Sequence, residues 1–114
     1  MDALPGLTVQ RDDPPVAMQA QLIGTLDIDP STNCLVLRPA NIDNMQFVDI
    51  AWPRGWSLTT HDGNPTLTDR AGVPVAQLGD EVSVGGGFVD TARAKVTACT
   101  GQQAVFIASD LTHL

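Results

Sequence analysis

A chain of 114 residues has room for one hydrophobic core and not for two. Its hydrophobic content of 43 % excludes wholesale disorder, while ten glycines and eight prolines interrupt it too often for long helices. The net charge is −7, and the six bases (Arg11, Arg38, Arg54, Arg70, Arg93, Lys95) stand singly along the sequence, which argues against nucleic acid or an anionic membrane surface as a partner.

With aromatics at 4 % and no tyrosine, the expected core is Val, Leu, Ile and Ala, pinned by Phe47, Trp52, Trp56, Phe88 and Phe106. No run of eighteen apolar residues is present, so no membrane span is expected. Residues 1–17 mix Pro5, Gly6, Arg11, Asp12, Asp13, Pro14 and Pro15 without a period and read as a flexible tether. Within them, residues 7–9 are candidates for a short extension lying against the body of the domain. The same stretch has no apolar core of the signal-peptide type. Export therefore implies a leader removed ahead of this sequence, with Met1 supplied for expression.

A first strand is expected over residues 18–27, followed by the turn Asp29-Pro30-Ser31-Thr32-Asn33, in which Pro30 fixes φ and the polar side chains can bond local backbone. Cys34-Leu35-Val36-Leu37-Arg38 returns as the second strand; Leu26 and Ile28 on one arm and Leu35 and Leu37 on the other give a period of two. After a polar loop over 39–44, a third strand runs over 45–52 and ends at the turn Pro53-Arg54-Gly55. Trp56 to Thr60 continues as a short strand, and the Asp-Gly pair within His61-Asp62-Gly63-Asn64-Pro65 favours a tight reversal. Residues 66–68 are extended, 69–72 turn, and Pro74 demotes 73–78 to an edge.

Residues 79–88 carry the architectural signal. Val82 and Val84 alternate with Glu81 and Ser83, then the run breaks into Gly85-Gly86-Gly87. Glycines inside a strand mark a bulge, a sharp bend or a close backbone approach, the means by which a small sheet curls into a barrel. They are not a phosphate loop, lacking the Gly-Lys-Ser/Thr ending and a following helix. Residues 90–98 fit a short helix capped by Asp90 or a strand, and their threonine and valine content favours the strand. The apolar run Ala104-Val105-Phe106-Ile107-Ala108 lacks alternation and is expected to be buried on both faces. The reading is an all-β, single-domain barrel of short antiparallel strands over 18–110, with one short helix near 90–97 as the alternative there and 111–114 as a tail.

Cys34 and Cys99 form no C-x-x-C pair, and with no histidine nearby they cannot complete a tetrahedral zinc site. They are either separate buried thiols in a cytosolic domain or a disulfide joining an early strand to the approach of the last. The disulfide is preferred, because closing so long a loop contributes about 4 kcal/mol in the chain-entropy model. It implies an oxidising compartment.

Three constellations are candidates for chemistry. Asp27, Asp29, Ser31 and Asn33 have the oxygen spacing that opens a calcium loop, but Thr32 and Arg38 stand where an EF-hand needs glycine and glutamate, so no metal is expected. His61-Asp62 resembles a base with its orienting acid, yet no nucleophile elbow accompanies it. Trp52-Pro53-Arg54-Gly55-Trp56 places two indoles around a guanidinium, a platform for stacking or cation–π contact, unless both indoles are needed by the core.

The segments Gly24 through Leu37, Ala51 through Trp56, Gly79 through Gly87, and Cys99 ahead of Val105-Phe106-Ile107 resemble, in that order, a group of largely uncharacterised small secreted domains and lipoproteins common in actinobacteria. The resemblance covers residues 20–109 and implies an OB-like β-barrel outside the cytoplasm, with Cys34 and Cys99 paired. It brings no catalytic residues, and the lipid-attachment cysteine of the lipoproteins has no counterpart near Met1. The expected role is a non-enzymatic extracytoplasmic binding or interaction module, monomeric or weakly oligomeric, without cofactor. It would meet a protein or saccharide partner through Trp52, Arg54, Trp56 and His61. The alternatives are a structural piece of a larger envelope or phage assembly, and a metal-dependent enzyme using Asp49, Asp62 and Asp80.

Overall fold

A computed structural model describes residues 4–11, 19–41 and 46–114. Its backbone is that of a small all-β, barrel-like domain. The strands are β1 (Thr8–Val9), β2 (Ala20–Asp29), β3 (Cys34–Pro39), β4 (Ile50–Trp52), β5 (Ser57–His61), β6 (Asn64–Thr68), β7 (Pro74–Gln77), β8 (Glu81–Asp90) and β9 (Ala104–His113), with one helical turn, α1 (Thr91–Ala94). A six-stranded sheet in the order β1-β4-β9-β8-β2-β3 carries a three-stranded sheet, β5-β6-β7.

The β2–β3 hairpin forms as its alternation requires, with Leu26 opposite Leu37 and Asp29 opposite Cys34. The Asp29 carbonyl accepts the Asn33 amide at 2.8 Å, and Asn33 takes the left-handed conformation (φ 56°). The Asp29 carboxylate accepts the Thr32 hydroxyl at 2.7 Å and the Ser31 hydroxyl at 3.0 Å, so the calcium-like spacing is spent on a hydrogen-bonded turn. At the far hairpin, Asp62 (φ 52°) and Gly63 (φ 82°) make the two-residue reversal between His61 and Asn64, matching the positive φ values that a tight type I′ turn demands. Pro74 sits on β7, an edge strand as expected.

The triple glycine meets a register slip. Gly85 pairs with Asp110 and Gly86 with Ala108, leaving Ser109 of β9 as the extra residue. The bulge thus lies on β9, opposite the glycines. They are needed because a Cβ on Gly86 would overlap the Ile107 carbonyl oxygen and stand 2.8 Å from its carbon. The register shift keeps the apolar run of β9 aligned on both faces. Phe106 and Ala108 enter the main core with Leu22, Leu26, Leu37, Ile50, Trp52 and Val84. Val105 and Ile107 pack in a second cluster with Ala51, Val96 and Ala98.

Several expectations are corrected. Not all strands are antiparallel, since β1–β4 and β4–β9 run parallel. Beyond Asp90, the last residue of β8, the chain takes the helical alternative and not the favoured strand: α1 closes at Lys95, whose φ of 56° turns the chain so that Val96 and Ala98 reach the second cluster. Phe88 does not pin the core; it packs edge-on to Phe106 at 5.2 Å and stays 44 % exposed. The third strand is short, Ile50–Trp52, with an isolated bridge from Val48 to Leu37; its expected start at Met45 lies outside the described residues. Residues 111–113 belong to β9 rather than to a tail.

The expected tether is only partly one: the extension anticipated over residues 7–9 forms, and it reaches further than expected. Residues 5–10 are built into the domain: Thr8 and Val9 pair with Ala51 and Trp52, while Gly6 bridges Cys34. The Gly6 amide donates to the Asn33 carbonyl at 2.8 Å, and the Gly6 carbonyl accepts from the Leu35 amide at 2.9 Å. Gln10, 4 % exposed, donates from Nε2 to the carbonyls of Ala51 and Ala108 at 2.8 and 2.7 Å. Together with reciprocal Leu37–Val48 backbone bonds, this strap ties the last strand of the order, β3, back toward β1 and β4. The Cys34–Cys99 disulfide lies beneath it.

Candidate functional site

The platform anticipated around residues 52–56 divides into a buried and a surface half. Trp52 is fully buried, its indole in the core. Trp56 stacks on it at 5.8 Å with 8° between ring planes and is half-buried at the surface. The geometry follows from the turn between them: the Trp56 amide donates to the Pro53 carbonyl at 3.1 Å, and Gly55 takes φ of 90°. The reversal folds one indole back over the other and leaves Arg54 exposed at its tip. Trp52 is therefore a support for the platform and not part of its face.

Arg70, from a turn distant in sequence, completes this surface. Its Nε donates to the Arg54 carbonyl at 3.2 Å, and its side chain lies so close over Gly55 that a Cβ there would stand 2.9 Å from Arg70 Cγ. Asp69 shapes the turn that presents it, accepting the amides of Ala71 and Val73 at 2.9 and 3.0 Å. Alongside, the Thr59 and Thr68 hydroxyls share a hydrogen bond at 3.1 Å across β5–β6. The result is an indole edge beside two guanidinium-bearing turns, with Val73 53 % exposed at the same end of the sheet. Such a surface can stack on a flat or apolar ligand face and pair with an anionic group.

His61 is not part of it. It lies at the other end of β5, about 13 Å along the strand from Ser57. There its Nε2 stands 3.6 Å from an Asp62 carboxylate oxygen, both side chains being well exposed on the hairpin. This is the solvated pair of a turn, and the structure brings no nucleophile to it among the described contacts.

The three carboxylates considered for metal chemistry sit on three separate segments. Asp62 is on the hairpin tip. Asp80 accepts the Gln77 amide at 2.8 Å and pairs with His113 Nε2 at 3.0 Å. Asp49 is fully buried; its Oδ2 accepts the Thr100 amide and hydroxyl at 3.0 and 2.8 Å, while Oδ1 has no partner among the described residues. Asp49 thereby holds the turn that follows Cys99. Among the described residues no group of three or more His, Cys, Asp or Glu is arranged to hold a metal, and no helix is long and apolar enough to cross a membrane. The only resolved perturbation of a carboxylate among them is at Asp29: the Thr32 hydroxyl bond, outweighing desolvation and helped by Ser31, holds it below the usual range.

Arg70 was legible in the sequence only as one of six scattered bases, because its place beside Arg54 is created by the β6–β7 turn. No family model matches the chain, and no curated protein or solved structure matches it.

Proposed function

We propose that this domain is a non-enzymatic binding or interaction module working outside the cytoplasm, and that it engages a protein or saccharide partner through Arg54, Trp56 and Arg70. The observation that carries the reading is the stacked pair. Trp56 rests on a fully buried Trp52, so a large apolar side chain is held at the surface of a domain otherwise poor in aromatics. A pre-ordered aromatic loses little conformational freedom on binding, which is why such side chains recur as anchors of interfaces. Arg54 and Arg70 add positive charge beside it. A disulfide in so small a domain is compatible with an oxidising compartment, and the resemblance to secreted domains supports the same address.

The test is capture of binding partners from an envelope fraction of the native cell on immobilised domain, compared with Arg54→Ala and His61→Ala. Partners specific to this surface are lost with Arg54→Ala and retained with His61→Ala, while both variants melt like the parent. Equal capture by all three removes the assignment.

A further inference from the structure

The outer strands of the fold are not treated alike. β3 is joined to the chain around β1 and β4 by the Gly6–Cys34 and Leu37–Val48 bridges. In the smaller sheet, β7 carries Pro74 and meets β6 across a register shift. Proline and irregular pairing both discourage a further strand. β5 has neither device. It ends the sheet order, pairs with β6 without a shift, and reads Ser57-Leu58-Thr59-Thr60-His61, with Ser57, Thr59, Thr60 and His61 exposed. We infer that β5 is a self-association edge, pairing antiparallel with β5 of a second copy of this chain.

The hairpin fixes which backbone groups that edge offers. His61 and Asn64 flank a two-residue turn and exchange hydrogen bonds, so the bonded pairs continue at Thr59–Thr66 and Ser57–Thr68. Leu58 and Thr60 occupy the intervening positions and direct their amides and carbonyls away from β6. Pro65, opposite Thr60, shows the same phase: its carbonyl accepts the Leu78 amide at 3.2 Å, on the β7 side. A two-fold axis at Thr59 sets Leu58 of each copy against Thr60 of the partner subunit. In that register every outward residue of both strands enters a bonded pair. Thr59 meets Thr59 of the partner subunit at a non-bonded position, where β-branched side chains stand close.

Charge complementarity selects the second copy as the occupant. The same register places Trp56 opposite Asp62 of the partner subunit, and so carries the Arg54 turn of each copy toward the Asp62–Gly63 tip of the other. Arg54 is exposed. The Asp62 side chain is 89 % exposed and lies 3.6 Å from His61 Nε2, too far for a hydrogen bond. One end of the β5 edge therefore presents a cation and the other an anion. Antiparallel pairing of two copies matches both ends, as a two-fold interface requires.

The inference goes beyond the partner surface proposed above, and a substitution at Thr59 leaves Arg54 and Trp56 intact, so either reading can fail without the other. Sedimentation equilibrium of the full chain, from micromolar to millimolar concentration, should show a monomer–dimer equilibrium. Thr59→Lys sets two ammonium groups opposite each other only in the dimer and should raise its Kd about tenfold or more. Asp62→Asn removes the charge pair at both ends and should raise it about fivefold. Both positions are exposed, so the dilute variants should melt close to the parent. With rising concentration the parent's Leu58 and Thr60 amides should gain protection from hydrogen exchange, whereas the Thr59 amide, already directed to Thr66, should not. A chain that stays monomeric at millimolar concentration would overturn the assignment and leave the edge to a different chain. A dimer indifferent to Thr59→Lys, or protection gained elsewhere than at Leu58 and Thr60, would overturn it equally.

Discussion

Gly6 lies directly against Cys99: a side-chain carbon added to Gly6 would overlap the Cys99 sulfur and stand 3.7 Å from that of Cys34. The strap crosses the disulfide at the one residue without a side chain. Replacement Gly6→Ala must push the strap off the disulfide or distort it, because neither the bonded sulfurs nor the backbone of β3 can swing away. An overpacked core position of this kind costs about 1–3 kcal/mol. Urea denaturation of Gly6→Ala should show a loss in that range, and Gly6→Val a larger one.

Removing the cross-link acts on the unfolded chain. The bond closes a sequence separation of 65 residues, for which the chain-entropy model gives about 4 kcal/mol. Cys34→Ser with Cys99→Ser should therefore melt far below the parent, and reductant should lower the parent's midpoint and leave the double variant's unchanged.

The glycines of β8 are not equivalent. A Cβ on Gly86 meets the Ile107 carbonyl, which is fixed backbone, whereas a Cβ on Gly85 meets only the end of the Asp110 side chain. Asp110 can rotate away, giving up its bond to the Gly85 amide. Gly85→Ala should cost about 1 kcal/mol, the worth of a hydrogen bond. Gly86→Ala should cost about 3 kcal/mol or more, since β8 and β9 must separate locally. Chemical denaturation of the two variants side by side separates these cases.

That contrast shows where the sequence could be read and where it could not. The bulge was legible because three adjacent glycines inside an alternating strand have few other uses, and the two-sided burial of 105–108 because alternation is missing there. The β2–β3 hairpin was legible from the alternation of Leu26 and Ile28 and from the turn chemistry of Asp29 and Asn33. Long-range consequences were hidden. Nothing local in Gly6 or Gln10 announces that they complete a sheet, since their partners, Cys34, Ala51 and Ala108, lie far along the chain. Arg70 over Gly55 is likewise a product of topology. Proximity in sequence groups His61 with Arg54, whereas the intervening strand β5 holds the two apart.

Acid should probe the first turn. The folded-state pKa of Asp29 is lowered by the Thr32 hydroxyl first, then Ser31, so ionised Asp29 stabilises the fold above the unfolded carboxylate value of about 3.9, and that contribution is lost as pH falls through the lower folded value. Thr32→Ala removes the principal hydrogen bond. The parent should be more stable than Thr32→Ala at neutral pH, and the difference should narrow below about pH 4. A difference that stays constant from neutral to acid pH would place the effect of Thr32 elsewhere.

Closure of the barrel by residues 5–10 over the disulfide is tested most directly by amide hydrogen exchange with and without reductant. In the oxidised protein the amides of Gly6 and Gln10, bonded to Asn33 and Trp52, should exchange slowly. On reduction they should lose protection before the amides of Val82 and Val84 do. Exchange of Gly6 and Gln10 at the rate of an unstructured peptide while the disulfide is intact would contradict the closure.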